Sequence, residues 1–221
     1  MTLHSWFPTS LYSESITSPL KVQREMVRYV DRYYEKNAPI PKENGGVLVG
    51  DDSGDSKVYQ KAEFSWLNKQ IFSRVEKYLD ALGVDINKIK IYASKAWPIV
   101  VEKGGKVLRH KHPNSILSAV FYLQTGDEES GEIRFYSSHS EIDFLPMKFK
   151  RNGRSYTNCK YKARPNDLLI FPSTLEHEVE TYNGELPRYS ISYDIIVTST
   201  RNDDWESTIP HPSQWKELNS S

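Results

Sequence analysis

The sequence predicts a mainly β protein, an antiparallel barrel or sandwich with N-terminal helices packed on one of its sheets. Apolar residues recur at helical spacing in the first third of the chain, whereas from about residue 90 onward they alternate with polar residues as strands do. Turn signals rich in glycine, asparagine and proline separate the strand-like segments. The 221 residues can bury a sizeable core, and all-β folds of this length are commonly single domains, so we expect one domain over 1–221.

The N-terminal part, residues 1–89, is predicted to be mostly helical. A first helix spans 18–37, because a capping serine followed by proline at the first helical position precedes apolar residues at helical spacing. A second helix follows the apolar stripe over 64–82 and ends at Gly83. The glycine- and aspartate-rich segment between them, 44–55, is predicted to be an exposed loop.

The barrel is assigned to residues 90–197, and the polar segment 198–221 to a C-terminal arm that is either laid over the barrel or loose. The long insertion 137–162 is a candidate lid over the barrel mouth. The candidate strands are 90–102, 106–112, 116–124, 131–137, 143–149, 155–161, 167–171, 175–181 and 188–197.

Charge and cysteine content exclude several classes of protein. Lys+Arg and Asp+Glu are balanced at 29 each, so the net charge favours neither nucleic acid nor an anionic membrane surface as a partner. A single cysteine, Cys159, excludes an internal disulfide and fits a reducing compartment. No signal-peptide pattern and no segment long enough to span a bilayer are present, so we expect a soluble cytoplasmic protein.

Three histidines form a candidate metal site. His110 and His112 point to the same side of an extended segment, because side chains alternate between the two faces of a strand. In 175–181 the acidic residues occupy one face and His177 the other, so His177 is expected to point inward. Imidazoles without a thiol cluster suit an oxygen-activating iron better than a structural zinc.

The closing strand, 188–197, adds a polar face to this inward histidine. Arg188 and Ser190 share that face, which predicts a wet pocket inside the barrel, with the apolar face of the strand covered by helices. A guanidinium there can grip a carboxylate through two parallel hydrogen bonds, and the hydroxyl of Ser190 can share it, as an anchored dicarboxylate would require. The alternatives are a polar face turned to solvent and an arginine used only for packing or surface charge.

These pieces together resemble the iron(II)/2-oxoglutarate-dependent oxygenase superfamily, and in particular a branch found in marine bacteria and phages. The matching pieces are 6–12, Ala96-Trp97, 110–123 with its His110-Lys111-His112-Pro113-Asn114-Ser115 motif, Phe171-Pro172, His177 and Arg188-Tyr189-Ser190-Ile191-Ser192. The resemblance implies a double-stranded β-helix, or jelly-roll, with iron(II) near its open end. It also implies that O₂ and 2-oxoglutarate are consumed to give succinate and CO₂ while a substrate C–H bond is hydroxylated.

The chain departs from the superfamily at one metal ligand. The superfamily usually supplies two histidines and a carboxylate, and the position of that carboxylate, two residues after the first histidine, is His112 here. Three arrangements are open: a site of His110, His112 and His177, which we favour; His112 and His177 with water or a halide; or a site completed by an acid such as Glu132. A further alternative is that His112 supports a ligand or contacts substrate without binding the metal.

The resemblance also implies contacts to the cosubstrate. Arg188 and Ser190 would hold the distal carboxylate of 2-oxoglutarate, and Tyr122 and Asn114 are candidate hydrogen-bond partners. The alternatives are that Tyr122 only packs in the core and that Asn114 is only a turn residue beside proline.

Two other functions compete with the oxygenase hypothesis. Gly104 precedes His110, and Pro172 precedes His177, at spacings that occur in cupins, so a cupin-type three-histidine metalloenzyme is the first rival. The glutamate expected after His112 in a cupin is missing. The second rival is a non-catalytic jelly-roll used for binding or as a phage structural part. The primary substrate, whether small molecule, amino acid or protein side chain, and the oligomeric state are not predicted.

Overall fold

The secondary structure comes from a computed structural model that describes residues 9–37, 46–125, 131–137, 157–200 and 209–218. Within these ranges the chain forms two helices of three turns or more and ten strands. In chain order they are β1 (Tyr12–Ser15), α1 (Leu20–Asn37), β2 (Val47–Val49), α2 (Ser65–Ala81), β3 (Ile89–Val101), β4 (Val107–His110), β5 (Leu117–Gln124), β6 (Ile133–Tyr136), β7 (Asn158–Tyr161), β8 (Asp167–Pro172), β9 (His177–Val179) and β10 (Arg188–Ser199).

The strands form two antiparallel sheets. One has six strands in the order β1-β8-β5-β10-β3-β2, and the other has four in the order β4-β9-β6-β7. Successive residues of β5 point to opposite faces of the six-stranded sheet. Val120 and Tyr122 pack with Phe135 and Phe171 between the two sheets, whereas Phe121 packs on the outer face. The predicted fold class, mainly β with a jelly-roll barrel, is confirmed.

Helices α1 and α2 cover the outer face of the six-stranded sheet. The apolar face of β10 faces this helical layer, as the alternation of its sequence predicts. The buried cluster there joins Met26, Val30, Leu67, Ile71 and Val75 of the helices to Phe121, Leu123, Ile191, Tyr193 and Ile195 of the sheet. Because this face is sealed by apolar side chains, the polar face of β10 is left to point between the sheets.

Two tyrosines anchor the helices to β10. The hydroxyl of Tyr193 donates to Oδ1 of Asn68 on α2 at 2.8 Å, and that of Tyr189 donates to Oδ1 of Asp31 on α1 at 3.0 Å. Each buried hydroxyl is therefore satisfied, which avoids the cost of an unpaired polar group. These bonds fix β10, the strand that carries Arg188, against the helical layer.

The helical layer gives a direct test of the packing. Leu67 on α2 has no exposed surface, so Leu67→Ala is expected to lower the free energy of unfolding by about 2–5 kcal/mol through lost burial and a cavity. Leu82, at the end of the same helix, is 50% exposed, and Leu82→Ala should cost less than about 1 kcal/mol. Urea unfolding of both variants measures the difference. Equal costs would contradict the packing of α2 on the sheet.

The predicted helices agree with the structure within two residues at each end, but two short strands were not predicted. The predicted exposed loop 44–55 is wrong for Val47–Val49, because three consecutive apolar residues there pair antiparallel with the end of β3. The other strand, β1, pairs with the edge of β8. Both lie at sheet edges, where pairing depends on a partner distant in sequence. The predicted strand 143–149 and most of the candidate lid lie outside the described residues.

The described part of the C-terminal segment, 209–218, contacts the barrel. The backbone N–H of Ser199 donates to the carbonyl of Ile209 at 2.8 Å, and the hydroxyl of Tyr92 on β3 lies 3.0 Å from Nε2 of His211. Ile209 and His211 therefore contact the barrel. In the ranges that the structure covers, no helix has the length and apolar character needed to cross a membrane.

Candidate metal centre and cosubstrate pocket

The pairing of two short strands brings the histidines together. His110 ends β4 and His177 begins β9, and the two residues are direct partners in the antiparallel register. His112 follows β4, where its backbone N–H donates to the carbonyl of Ser173 at 2.9 Å. One potential ligand atom from each of the three histidines lies within 4.8 Å of the others. The structure therefore brings these three histidines together.

Backbone carbonyls select the tautomer of two of these rings. Nδ1 of His110 lies 2.7 Å from the carbonyl oxygen of Leu108, and Nδ1 of His177 lies 2.9 Å from that of Leu175. A carbonyl only accepts, so each Nδ1 carries the proton and each Nε2 presents a lone pair. Hydrogen bonds of this kind orient metal-binding histidines in proteins.

Burial keeps the same two rings neutral. It lowers the pKa of His177 to about 3, with a smaller contribution from the charge of neighbouring His110, and it also lowers the pKa of His110. His177 is only 6% exposed. Since a metal binds the neutral imidazole, protons do not compete for His177 at neutral pH.

Aromatic side chains hold the rings in place. Phe171 meets the His177 ring edge-on at 4.9 Å between centroids, and Phe135 lies at 6.0 Å. On the opposite side of the cluster, Trp97 of β3 stacks on His112 at 5.7 Å. The rings of His112 and His177 are nearly parallel, with an interplanar angle of 8°. The donor set is therefore preorganised and fits a divalent transition metal.

The histidines open into a cavity of about 380 Å³ between the two sheets. Its inner wall is the polar face of β10, which contributes Arg188, Ser190 and Ser192. Both sheets contribute apolar side chains to the remaining walls. These include Val49, Ile99, Val107, Leu108, Val120, Ile133, Phe171 and Val179.

Arg188 is a buried cation in this cavity. It is 2% exposed; one guanidinium nitrogen donates to the carbonyl of Gly131 at 2.7 Å, and its Nε has no hydrogen-bond partner. The rings of Tyr122 and Tyr182 lie 5.7 and 5.8 Å from the guanidinium carbon. Within the part of the chain that the structure describes, no carboxylate pairs with Arg188. Burial lowers the pKa of Arg188, so its charge is destabilised until an anion compensates it.

Of the other residues predicted to contact the cosubstrate, two line the cavity and one does not. Ser190 and Tyr122 are buried and line the cavity beside Arg188, and burial raises the pKa of Tyr122 to about 12, which keeps its hydroxyl protonated as a donor. Asn114 lies in an exposed turn and does not line the cavity. Glu132 pairs with Lys160 at 3.7 Å and does not join the histidine cluster. The solvent-facing alternative for β10 is wrong at Arg188 and Ser190.

Two residues of the site had no role in the sequence analysis. Oδ1 of Asp194 lies 3.1 Å from Nδ1 of His112. Asp194 shares the polar face of β10 with Arg188, and this alternation is the one sequence signal that could have identified it. Gly131 supplies the carbonyl for Arg188. A Cβ at Gly131 would lie 2.2 Å from the carbonyl oxygen of Glu180, so only glycine permits this close approach.

The barrel region matches a known family. Residues 95–194, which include the three histidines, Arg188 and Asp194, match the family described as "Putative 2OG-Fe(II) oxygenase". No curated protein sequence matches this chain.

Solved structures share the fold at low sequence identity. A prolyl-4-hydroxylase from Pseudomonas putida aligns with a TM-score of 0.55 at 14% identity, over 85% of this chain and 93% of its own. A prolyl hydroxylase from Trichoplax adhaerens, in complex with a peptide fragment of the hypoxia inducible factor oxygen degradation domain, aligns with a TM-score of 0.55 at 16% identity, over 84% of this chain and 83% of its own.

A 2OG-Fe(II) oxygenase family oxidoreductase from Burkholderia pseudomallei aligns with a TM-score of 0.44 at 16% identity, over 61% of this chain. The chain spans only 55% of the length of that protein. The two hydroxylase matches show that the chain has the fold of these oxygenases. The family match supports the 2OG-Fe(II) oxygenase superfamily over residues 95–194.

Proposed function

We propose that the protein is an Fe(II)/2-oxoglutarate-dependent dioxygenase that hydroxylates a C–H bond of its substrate. The observation that carries the proposal is Arg188, a buried guanidinium with no acidic partner among the described residues, facing the same cavity as three clustered histidines. A metal site alone fits many enzymes. A metal site that shares a cavity with an unpaired buried cation fits a ligand that chelates the metal and ends in a carboxylate.

His110, His112 and His177 would hold the iron through their Nε2 atoms. When bound, iron, O₂ and 2-oxoglutarate would supply the oxidising chemistry, with 2-oxoglutarate converted to succinate and CO₂. The protein supplies orientation: Nδ1 of each ring lies against a carbonyl or a carboxylate oxygen, which leaves Nε2 of each ring as the atom available to a metal.

Arg188 and Ser190 would bind the distal carboxylate of 2-oxoglutarate. The Nε–H of Arg188 has no acceptor among the described residues and can donate to a carboxylate. Ser190 and Tyr122 also line this cavity and can contribute hydroxyl donors. A carboxylate there would also remove the cost of an uncompensated buried charge. The cavity volume of about 380 Å³ falls in the range of roughly 300–1,000 Å³ that is usual for small-molecule sites.

The primary substrate is proposed only by class, as a small molecule, an amino acid or a protein side chain. Because the fold is shared with two prolyl hydroxylases, a protein side chain is retained among the candidate substrates. The single cysteine in 221 residues is the basis for proposing a reducing, cytoplasmic location. Assignment to the branch of marine bacteria and phages rests on the sequence resemblance described above.

One observation favours a second candidate, a cupin-type three-histidine metalloenzyme. The clustered side chains of the described residues are all imidazoles, without the carboxylate that two-histidine iron sites contain. A cupin of this kind has no need for a buried arginine facing the metal, and therefore we rank it second.

Anaerobic titration of the Fe(II)-loaded protein tests the proposal. 2-Oxoglutarate is expected to produce the weak visible band of a 2-oxo acid chelated to iron. 2-Oxovalerate has the same chain length and lacks the distal carboxylate, so it should require at least about 30-fold more ligand, as the loss of a buried charged contact predicts. Iron binding without a band for either ligand would favour the cupin. No iron binding would favour the non-catalytic jelly-roll.

A further inference from the structure

A buried carboxylate lies directly behind one of the three histidines. Asp194 is 8% exposed, and its Oδ1 is 3.1 Å from Nδ1 of His112 and 3.4 Å from Oγ of Ser115. The register of β10 against β3 shifts between Asp194 and Ile195, because Asp194 pairs with Lys95 and Ile195 with Ala93, which leaves Ser94 of β3 as the extra residue. Such irregularities are common next to functional sites, and this one lies beside the carboxylate that meets His112.

His112 is supported differently from the other two histidines. His110 and His177 each donate to a neutral backbone carbonyl, whereas Nδ1 of His112 lies 3.1 Å from a carboxylate oxygen of Asp194. A carboxylate oxygen can only accept, so this contact favours the proton on Nδ1 of His112 and the lone pair on Nε2. The carboxylate also places a negative charge beside the ring, which a carbonyl does not, and a carboxylate partner raises the basicity of a metal-binding imidazole.

The charge balance of the cavity explains why such support is needed. Two-histidine iron sites contain a carboxylate ligand that offsets part of the metal charge. Here the corresponding position is His112, so three imidazoles would give a divalent ion no carboxylate ligand, and Arg188 adds a further positive charge to the same cavity. Asp51 and Asp52 also line the cavity, but they do not join the histidine cluster. Among the described residues, Asp194 is the carboxylate that contacts a histidine of the cluster.

We propose that Asp194 is a positioning residue for the metal, acting through His112. It fixes the tautomer of His112 and supplies, one bond further from the metal, the negative charge that a carboxylate ligand would have supplied directly. Trp97, stacked on the same ring at 5.7 Å, restricts the plane of the ring, so the distinct contribution of Asp194 is its charge. This inference rests on the metal site of the proposed function.

Cobalt(II) binding measures this contribution without any turnover, because bound Co(II) has a visible d–d spectrum that reports its ligands. Asp194→Asn keeps an oxygen acceptor for His112 and removes the charge. It is expected to raise the Co(II) dissociation constant by about 10- to 100-fold, the usual cost of losing a partner of a metal-binding histidine, and to shift the d–d bands. Asp167→Asn is the matched control: this aspartate is 5% exposed, bonds to Tyr161 and Arg164, and lies outside the cavity.

A double substitution separates positioning from general structural support. In a His112→Ala background, Asp194→Asn should change the Co(II) dissociation constant by less than about twofold, since its route to the metal is gone. A full effect of Asp194→Asn in that background would overturn the proposal. So would a wild-type dissociation constant and spectrum for the single Asp194→Asn variant whose circular dichroism and melting temperature match the wild type.

The outcomes also distinguish this inference from the proposed function. If Asp194→Asn weakens Co(II) binding as expected but wild-type protein loaded with iron gives no band with 2-oxoglutarate, the metal support holds in a different metalloenzyme. If the band forms and Asp194→Asn binds Co(II) like wild type, the function holds and the role of Asp194 is overturned. Wild-type protein that does not bind Co(II) overturns both.

Discussion

Arg188→Met is expected to raise the dissociation constant of 2-oxoglutarate by at least about 30-fold, while the free energy of unfolding of the metal-free protein stays the same or rises. Methionine fills much of the same volume without a charge. The guanidinium is 2% exposed and has no carboxylate partner within the described ranges, so its removal relieves a desolvation cost in the empty pocket and abolishes the contact to a bound carboxylate. The two effects have opposite signs, which an arginine used for packing would not produce.

Anaerobic titration followed by the visible band measures the affinity, and urea unfolding measures the stability. Arg134→Met is the matched control, because Arg134 pairs with Glu178 at 3.6 Å and with Glu180 and does not line the cavity. This control should bind 2-oxoglutarate as wild type does. An Arg188→Met protein that is destabilised and binds 2-oxoglutarate normally would assign Arg188 to packing and contradict the proposed function.

Removal of His177 is expected to have the largest effect on the metal. His177→Gln should raise the Fe(II) or Co(II) dissociation constant by more than about 100-fold, since loss of the outer partners of such ligands alone costs about 10- to 100-fold. Glutamine occupies the space between Phe135 and Phe171 but cannot present the Nε2 lone pair that the bond to the carbonyl of Leu175 selects. His177→Ala tests the same loss with a cavity in place of the side chain.

Anaerobic metal titration monitored by the Co(II) d–d bands makes this measurement. The control is His211→Ala, because His211 lies beside Tyr92 in the C-terminal segment, outside the cavity. It should bind metal as wild type does. If His177→Gln retained wild-type affinity, the metal would have to be held by a different set of ligands, and the three-histidine arrangement would be wrong.

Much of the site could be predicted from alternation within single strands. In β10, Arg188 and Ser190 fall on one parity and Tyr189 and Ile191 on the other, and the structure buries the first pair in the cavity and the second against the helices. The inward direction of His177 follows from the same rule. These predictions needed only one strand and the fact that its two faces differ in polarity.

The sequence was less informative wherever the answer depended on two distant segments. Asn114 follows the histidines in the same motif, and Glu132 was a candidate ligand, but a turn leaves Asn114 exposed and the side chain of Glu132 pairs with Lys160. The short edge strands β1 and β2 were missed because edge pairing is set by a partner elsewhere in the chain.

The amino-acid sequence by itself determined the mainly β fold, the helical cover of one sheet, the inward direction of His177 and the polar face that carries Arg188. It did so because periodicity is a local property of the chain. Only the tertiary structure decided that His110 pairs with His177, that Asp194 meets His112, and that Arg188 has a glycine carbonyl and no described carboxylate beside it. These contacts depend on strand register and on a bulge, which arise from the packing of the whole barrel.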